Sequence, residues 1–510
     1  MKDATKRYSL RALSIGLLLL LGLVAAYFNL KLAWNTQTLA SATATAFHWT
    51  EPLAPFNATG GVDGKKMQFI KTLYDIGQNT SQPRGIVIPV YEKIVKIAAS
   101  LILELRTMGV DEPIELPYCG DVSIEAQTLL LQKTALGDIR FYDVCDLAAA
   151  ATADNGPDGP EKVFCPNVTA CHTKFRNFDI KVVAVVFSQF EELMLVDADT
   201  AFFVKPTVLW DSAKYKATGT LFMNDRHAHE IFFMAERMRG NSRLSRQHEF
   251  MANFDPVPFR FIPTLERAKA TLPNPVPLTP KYEPSDYLFT SHSWNLRTGH
   301  QMDSSLLFWN KKKQPRATAI LASFKALCDV GSPPSYGDKE MYFYAAELAE
   351  TQYSFSAYTI SGVGTDYQDH GEGKSTLCGD MAQLFPIEQD HIEDVPLFYL
   401  NSDRVLRFKP AEQGVYYVKA RPADVYLGPF PTKRIECPFN ITGAKFSEAE
   451  TKRLSGRQRL HELVLSWGRI AQPGQSDVIL ESLDAAVDSM VAEQMETMRR
   501  EYRRVKVPKL

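Results

Sequence analysis

An apolar run from about Leu13 to Leu30, interrupted only by Ser14 and Asn29, follows Lys2, Lys6, Arg7 and Arg11. A helix needs roughly 17 to 25 apolar residues to cross a bilayer, whereas a signal-peptide apolar region has roughly 7 to 15. The run therefore predicts an uncleaved membrane anchor. The Ala-x-Ala triplets at Ala40, Ala42 and Ala44 lie too far beyond it for ordinary signal cleavage. Basic residues precede the span and only Lys31 follows closely, which puts the N-terminus in the cytosol. Residues 1–11 are then a cytosolic tail and 12–30 the anchor of a single-pass type II membrane protein, with the rest luminal.

Residues 31–80 are rich in Thr, Ala, Ser, Gly, Pro and Asn without a sustained period, which reads as a luminal stem. From 81 to 444 apolar periods alternate. Gly85-Ile86-Val87-Ile88-Pro89-Val90 reads as a strand, Tyr91 to Met108 as a helix, Ile114 to Tyr118 as a second strand and Ile124 to Leu136 as a second helix. After a turn-rich loop at 150–160, a helix from Lys174 to Phe190 leads into Glu192-Leu-Met-Leu-Val196, a continuous apolar run typical of a buried parallel strand. Alternating strands and helices predict an α/β catalytic domain with a parallel sheet. Residues 445–510 are charged and helical, including Leu480 to Arg503, and read as an appended helical region with a basic end and a solvated face.

A chain of 510 residues that is 45% hydrophobic and 23% charged has ample core for one large domain or two, and its net charge of −2 gives no reason to expect nucleic acid as a partner. N-x-S/T patterns at Asn57, Asn79, Asn167 and Asn440 all lie on the luminal side. Seven cysteines in an oxidising lumen should pair in part, Cys165 and Cys171 being close enough to staple a loop; no Cys/His cluster indicates zinc.

The Glu192–Val196 strand stops at Asp197-Ala198-Asp199, and ligands collect at the carboxyl ends of strands in open α/β sheets. Two carboxylates at i and i+2 reach one site if the chain turns there. They offer hard oxygen ligands for Mn²⁺ or Mg²⁺, which would neutralise a nucleotide-sugar diphosphate as charge builds on the leaving oxygen. The spacing alone is common; the buried strand before it and Phe202-Phe203-Val204-Lys205-Pro206 after it add weight. The competing reading is a turn or helix cap that happens to be acidic.

Ser188-Gln-Phe-Glu-Glu-Leu-Met-Leu-Val-Asp-Ala-Asp-Thr-Ala-Phe-Phe-Val-Lys-Pro, Gly219-Thr-Leu-Phe-Met-Asn-Asp-Arg226, Met302-Asp-Ser-Ser-Leu-Leu-Phe308 and Tyr336-Gly-Asp-Lys-Glu340 follow in order. Together they resemble the α-1,3-mannosyltransferase family of fungal-type Golgi glycosylation, glycosyltransferase family 71, over about Arg84 to Asn401. The resemblance implies a GT-A-like fold, a Rossmann-like mixed sheet flanked by helices. It also implies GDP-mannose as donor, Mn²⁺, a retaining mechanism and a mannosylated glycan or glycoprotein as acceptor, acting at the Golgi membrane.

By position, the resemblance assigns Asp197 and Asp199 to metal and diphosphate, Gly85, Ile86, Val87 and Pro89 to the first nucleotide-side strand, and Lys181 to a basic residue near the donor. Asp303 is expected to face the sugar, Asp338 to accept from an acceptor hydroxyl and Lys339 to offset phosphate charge, while a turn or a helix start explains the same acids structurally. The family pattern places a histidine a few residues past Cys378-Gly379, where Gln383 and Leu384 stand. His370, in Asp369-His-Gly-Glu-Gly-Lys374, is the substitute metal ligand, with a plain surface-loop histidine as the alternative. Gly373-Lys374-Ser375 is no P-loop, because Gln368 occupies the required glycine position, and no Gly-x-Ser-x-Gly elbow occurs. Two alternatives stay open: a UDP-sugar donor on the same fold, and a catalytically silent luminal scaffold in a glycosyltransferase complex.

Overall fold

The computed structural model describes residues 62–134, 137–154, 156–227, 233–238, 241–327, 333–371, 375–407, 414–426, 440–468, 477–503 and 508–510. The tail, the anchor at 12–30 and most of the stem lie outside them, as does Asn57. No helix among the described residues is long and apolar enough to cross a membrane.

The chain runs α1 (Val62–Gln78), β1 (Gln82–Val87), α2 (Val95–Thr107), β2 (Ile114–Tyr118), α3 (Ile124–Lys133) and β3 (Ile139–Asp143), then a hairpin of β4 (Thr152–Asp154) and β5 (Pro160–Lys162). Next come α4 (Val168–Phe175), α5 (Ile180–Phe187), β6 (Phe190–Val196), β7 (Thr200–Phe202), β8 (Thr220–Asn224) and a hairpin of β9 (Arg237–Met238) and β10 (Asn241–Ser245). Then follow β11 (Met302–Asn310), α6 (Pro315–Ser323), α7 (Met341–Leu348), β12 (Ser361–Gln368), β13 (Thr376–Leu384), β14 (Leu397–Asn401), β15 (Tyr416–Val418), β16 (Gly443–Lys445), α8 (Glu448–Leu465) and α9 (Asp477–Arg503).

One six-stranded sheet has the order β3-β2-β1-β6-β11-β8. Its first four strands are parallel, while β11 runs antiparallel to both β6 and β8. The apolar runs are explained by helices on both faces. Ile86, Met194 and Val196 pack with Leu101, Ile102 and Leu105 of α2, while Val87, Leu193 and Leu195 pack with Val182 and Val185 of α5 and Ile320 and Leu321 of α6. Both faces being covered, period-2 alternation disappears from the sequence. Gly85 serves this packing: a Cβ there would lie 2.1 Å from the Phe190 ring.

From β1 the chain steps outward to β2 and β3, then returns on the other side of β1 as β6. The carboxyl ends of β1 and β6 therefore flank the point where strand order reverses, the crevice that binds ligands in such sheets. A second, antiparallel sheet, β16-β15-β12-β13-β14-β7, is joined to the first through β7.

Several expectations are corrected here. The stem reading to residue 80 does not hold past Val62, because Phe69, Ile70 and Leu73 of α1 are buried against the domain. The helix expected from Lys174 to Phe190 is two helices broken between Phe175 and Ile180, and the 150–160 loop contains the β4–β5 hairpin. Nor are the C-terminal helices merely appended with a solvated face. Leu460, Val464, Val491, Met495 and Met498 share one cluster with α2, and Gly456 admits the Met498 side chain where a Cβ would stand 2.8 Å from it. Cys119–Cys145 and Cys165–Cys171 are disulfides, the second the loop staple expected, and Cys378 is also disulfide-bonded. Asn79, Asn167 and Asn440 are exposed.

Glu104 of α2 ties three regions together. Its carboxylate lies 3.1 Å from Arg457 Nε of α8, and both side chains are buried. It also accepts from Tyr502 Oη of α9 at 3.1 Å and from the Phe202 amide of β7 at 3.3 Å, while Tyr502 Oη donates to the Phe202 carbonyl at 2.8 Å. Breaking a buried pair leaves an uncompensated charge worth about 3–5 kcal/mol. Arg457→Leu is accordingly expected to lower the thermal midpoint of the purified chain by that order of destabilisation, and Glu104→Leu combined with it to recover most of the loss. A single variant that melts with the wild type would show that the pair does not dock the helices.

Candidate active site

At the end of β6 the chain turns. The Asp197 amide still donates to Ser305 O of β11 at 2.9 Å, and Thr200 N closes onto Asp197 O at 3.2 Å. Leaving strand geometry at this point lets Asp197 and Asp199 line the same cleft, of about 600 Å³. That cleft also takes Pro89 and Val90 from the end of β1, Asp121 beyond β2, and Phe175 to Phe178, Ile180 and Lys181 from around the α4–α5 break. It is the crevice anticipated at the switch point, and β7 leads from it directly into the second sheet.

Lys181 of α5 reaches the pair from below. Its ammonium lies 2.6 Å from Asp197 Oδ1 and 3.9 Å from Asp338 Oδ1, and donates to Ser304 O at 3.4 Å. Burial pushes the Asp197 carboxyl up to about 7 against the attraction of Lys181, with smaller repulsions from Asp199 and Asp338 adding to the rise. Burial likewise raises Asp199 and Asp338. Burial works against the charged Lys181, yet Asp197 and Asp338 together hold its proton above the usual lysine range. The carboxyls rise chiefly because they are withdrawn from water, whereas the Lys181 proton is held by the carboxylates around it.

Asp303 sits one step deeper on β11, inside a bulge. Asp303 pairs with Met223, but the next partners are Leu307 and Phe222, so Ser304, Ser305 and Leu306 are extra on β11. The bulge turns Ser304 O toward Lys181 and Ser305 O toward Asp197, the re-aiming that bulges provide beside active sites. The Asp303 carboxylate accepts from Ser305 Oγ at 2.7 Å and from Gln383 Nε2 at 2.9 Å. Lys339 pairs with Asp225 at 2.6 Å, which drops to about 2: burial opposes its charge, but Lys339, His300 and Arg226 overcome it. The Lys339 proton is held more tightly than usual, attraction to Asp225 and Asp303 outweighing burial. Asp338 precedes α7 and accepts from Tyr342 Oη at 3.0 Å, so it is part of a helix start and also within the charge cluster.

Asp197, Asp199, Lys181 and Pro89 line the cleft, and Asp338, Asp303 and Lys339 form a continuous charge cluster behind it. Gly85, Ile86 and Val87 do not reach the cleft: Ile86 and Val87 are fully buried in the sheet, and Gly85 seats Phe190. His370 is exposed at the tip of the β12–β13 hairpin, its Nε2 3.3 Å from Gln368 Oε1, away from the residues lining the cleft. The metal-ligand role expected of it is therefore corrected. Three participants went unassigned in the sequence. Gln383 bridges Asp303 and Asn224 O, Asp225 lay inside a quoted block without a role, and Asp403 joins the cleft because β14 pairs with β7.

The family model described as "Mannosyltransferase putative" matches residues 83–384, which carry every one of these groups except Asp403. The match covers more than half of the chain, and the chain belongs to this mannosyltransferase family. Among curated relatives, "Putative alpha-1,3-mannosyltransferase MNN14" of Candida albicans is 24% identical over 317 residues, covering 60% of this chain and 39% of that protein. "Alpha-1,3-mannosyltransferase MNT3" of Saccharomyces cerevisiae is 24% identical over 332 residues, covering 62% of this chain and 47% of that protein. The chain thus matches less than half the length of either relative. A solved active-site mutant of LgtC aligns at 12% identity and a TM-score of 0.26, over 53% of this chain and 72% of that one.

A carboxyl that titrates at about 7 in the fold, against 3.8 ordinarily, binds its proton more tightly folded than unfolded. Its contribution to stability is present in full below about 3.8 and is lost as pH rises through 7. Lys181→Met removes the opposing charge and pushes Asp197 and Asp338 higher. The variant's thermal midpoint is expected to fall more steeply than the wild type's between about pH 5 and 8, each tenfold change in a carboxyl's acidity being worth about 1.4 kcal/mol. Parallel pH profiles would remove Lys181 from its central place.

Proposed function

We propose that the chain is a retaining glycosyltransferase that moves mannose from GDP-mannose to a mannosylated glycan in the Golgi lumen, the α-1,3 linkage following the relatives' names. The observation that carries this is the Asp197–Asp199 turn, opening at the switch point into a nucleotide-sized cleft. A divalent ion, Mn²⁺ or Mg²⁺, suits the site on its donor chemistry: two half-buried carboxylates with raised proton affinity form an all-oxygen end to the cleft. Among the described residues no group of three or more His, Cys, Asp or Glu side chains is arranged to hold a metal. A cation here would be held by one or two carboxylates together with the donor's phosphates and water, the usual manner of Mg²⁺ in phosphate sites. When bound, the ion supplies charge neutralisation to the departing diphosphate.

The chain's own groups do the rest. Tyr91, Ile94 and Ile97 give the β1 side of the cleft an apolar wall suited to a nucleobase. Lys181 fixes Asp197 and presents a second positive charge to the phosphates. Asp303, held by Ser305 and Gln383, and Asp338, held by Tyr342, place fixed negative charge where an oxocarbenium-like centre would form. Anchoring through residues 12–30 would deliver this domain to the luminal face.

With Mn²⁺ and a mannose acceptor, the purified chain is expected to consume GDP-mannose in preference to UDP-sugars, and Asp199→Asn to lower turnover at least about a hundredfold. Consumption of a UDP-sugar instead would overturn the donor, and inactivity of wild type and variant alike with every donor would favour the scaffold reading. Because a cation has to displace the Asp197 proton below about pH 7, Mn²⁺ affinity is expected to fall about tenfold for each pH step below that value and to level off above it. Calorimetry in buffers of different ionisation enthalpy reads the proton released.

A further inference from the structure

Three aromatic side chains among the described residues are close to half exposed, Tyr91 at 47%, Phe178 at 52% and Tyr336 at 48%. All three belong to one place. Tyr91 and Phe178 line the cleft, and Tyr336 lies against Phe178 with ring centroids 5.8 Å apart and planes tilted by 43°. An apolar surface left in water beside a binding cleft marks a contact for something else. We propose that Phe178 and Tyr336 form the platform on which a pyranose ring of the acceptor glycan stacks.

The platform is built rather than incidental. Tyr336 is backed by the Phe233 ring at 5.2 Å and the His300 ring at 6.2 Å, which fix its plane. Gly337 has φ +65°, and a Cβ there would stand 2.7 Å from Phe178 Cβ. The conformation and the space both demand glycine, and the result is that the Tyr336–Asp338 turn wraps closely around Phe178. Charged groups adjoin the rings on the same segments. The Lys339 ammonium lies 5.8 Å from the Tyr336 centroid, Asp338 is two residues past Tyr336, and Lys181 is three residues past Phe178.

A pyranose needs both kinds of surface, because it presents a face of C–H bonds and a perimeter of hydroxyls. Aromatic rings satisfy the first and flanking polar groups the second. A nucleobase is the poorer fit, since two rings tilted by 43° leave no parallel-sided slot. The place next to Asp338 is also where an acceptor must lie to reach a donor whose diphosphate is at Asp197. That the stacked sugar is the acceptor rests on the transferase reading above; the stacking itself does not.

The test is binding of mannobiose to the purified full chain without donor, followed by saturation-transfer NMR and calorimetry. Tyr336→Phe keeps the ring and is expected to bind as the wild type does. Tyr336→Leu and Phe178→Leu keep apolar bulk without a flat face and are expected to weaken binding at least about fivefold, with thermal midpoints near the wild type's showing that they fold. Equal affinity in the folded Leu variants, or no mannobiose binding by the wild type, overturns the platform. Binding of an acceptor peptide in place of mannobiose overturns it too. Ring-dependent mannobiose binding by a chain that turns over no sugar nucleotide would sink the transferase reading and leave the platform standing.

Discussion

One buried ammonium organises the site. Lys181 arrives from α5, Asp197 from the end of β6, Ser304 from the β11 bulge and Asp338 from the start of α7, and their charges and dipoles meet within 4 Å of Nζ. A buried cation without partners would be expelled or neutralised, and buried carboxylates without a cation would protonate. Each side therefore requires the other, so four segments of the chain are held in register by one charge. Lys339 repeats the arrangement with Asp225 and Asp303 on the far side. Burial outweighs even the attraction of Lys181, which is why the Asp197 carboxyl titrates near neutrality despite an ion pair at 2.6 Å.

A second constraint comes from outside the family-matched region. Residues 83–384 contain the cleft's charged floor, but the Asp199–Phe202 segment is clamped from behind by Glu104, whose partners Arg457 and Tyr502 belong to α8 and α9. Phe202 is bonded through both its amide and its carbonyl into this network. The strand that follows the Asp pair is therefore held on one edge by β14 and at its end by the C-terminal helices. The C-terminal region belongs to the body that shapes the cleft.

What the chain's order discloses depends on how far apart the partners are. The β6 strand and its acidic turn are legible because a run of apolar residues ending in two acids is a local pattern; Ile114–Tyr118 is found where its pattern puts it. Asp303, Asp338 and Lys339 were singled out by the ordered blocks and Lys181 by its place before the Asp pair, none of them by periodicity. Asp403 carried no signal of its own, since it enters the cleft through a β14–β7 pairing across about two hundred residues. Gln383 drew notice only as a missing histidine, although its amide holds Asp303 in place. The histidine chosen in its stead, His370, failed because a hairpin tip rich in glycine resembles a binding loop in composition while standing in solvent. Gly85, assigned by the resemblance to the nucleotide-side strand, meets the Phe190 ring and not the cleft.

The withdrawal of these acids from water gives the proposed chemistry its direction. In the state described, Lys181 occupies the inner oxygen of Asp197, so a divalent ion would have to share that oxygen, use the other, or move the ammonium aside. Any of these lowers the repulsion among Asp197, Asp199 and Asp338, and so binding of cation and diphosphate together relieves a cost that the fold already carries. A freed Lys181 would then face the phosphates, and the carboxylates would remain ionised beside the sugar. The pocket is in this sense charged in advance: the energy of holding acids together in a buried place is spent in folding and is recovered only when a ligand of matching charge arrives. A turn that merely capped a helix would have no reason to keep so many acids within one cluster, or to shield them with a lysine that is itself almost wholly out of water.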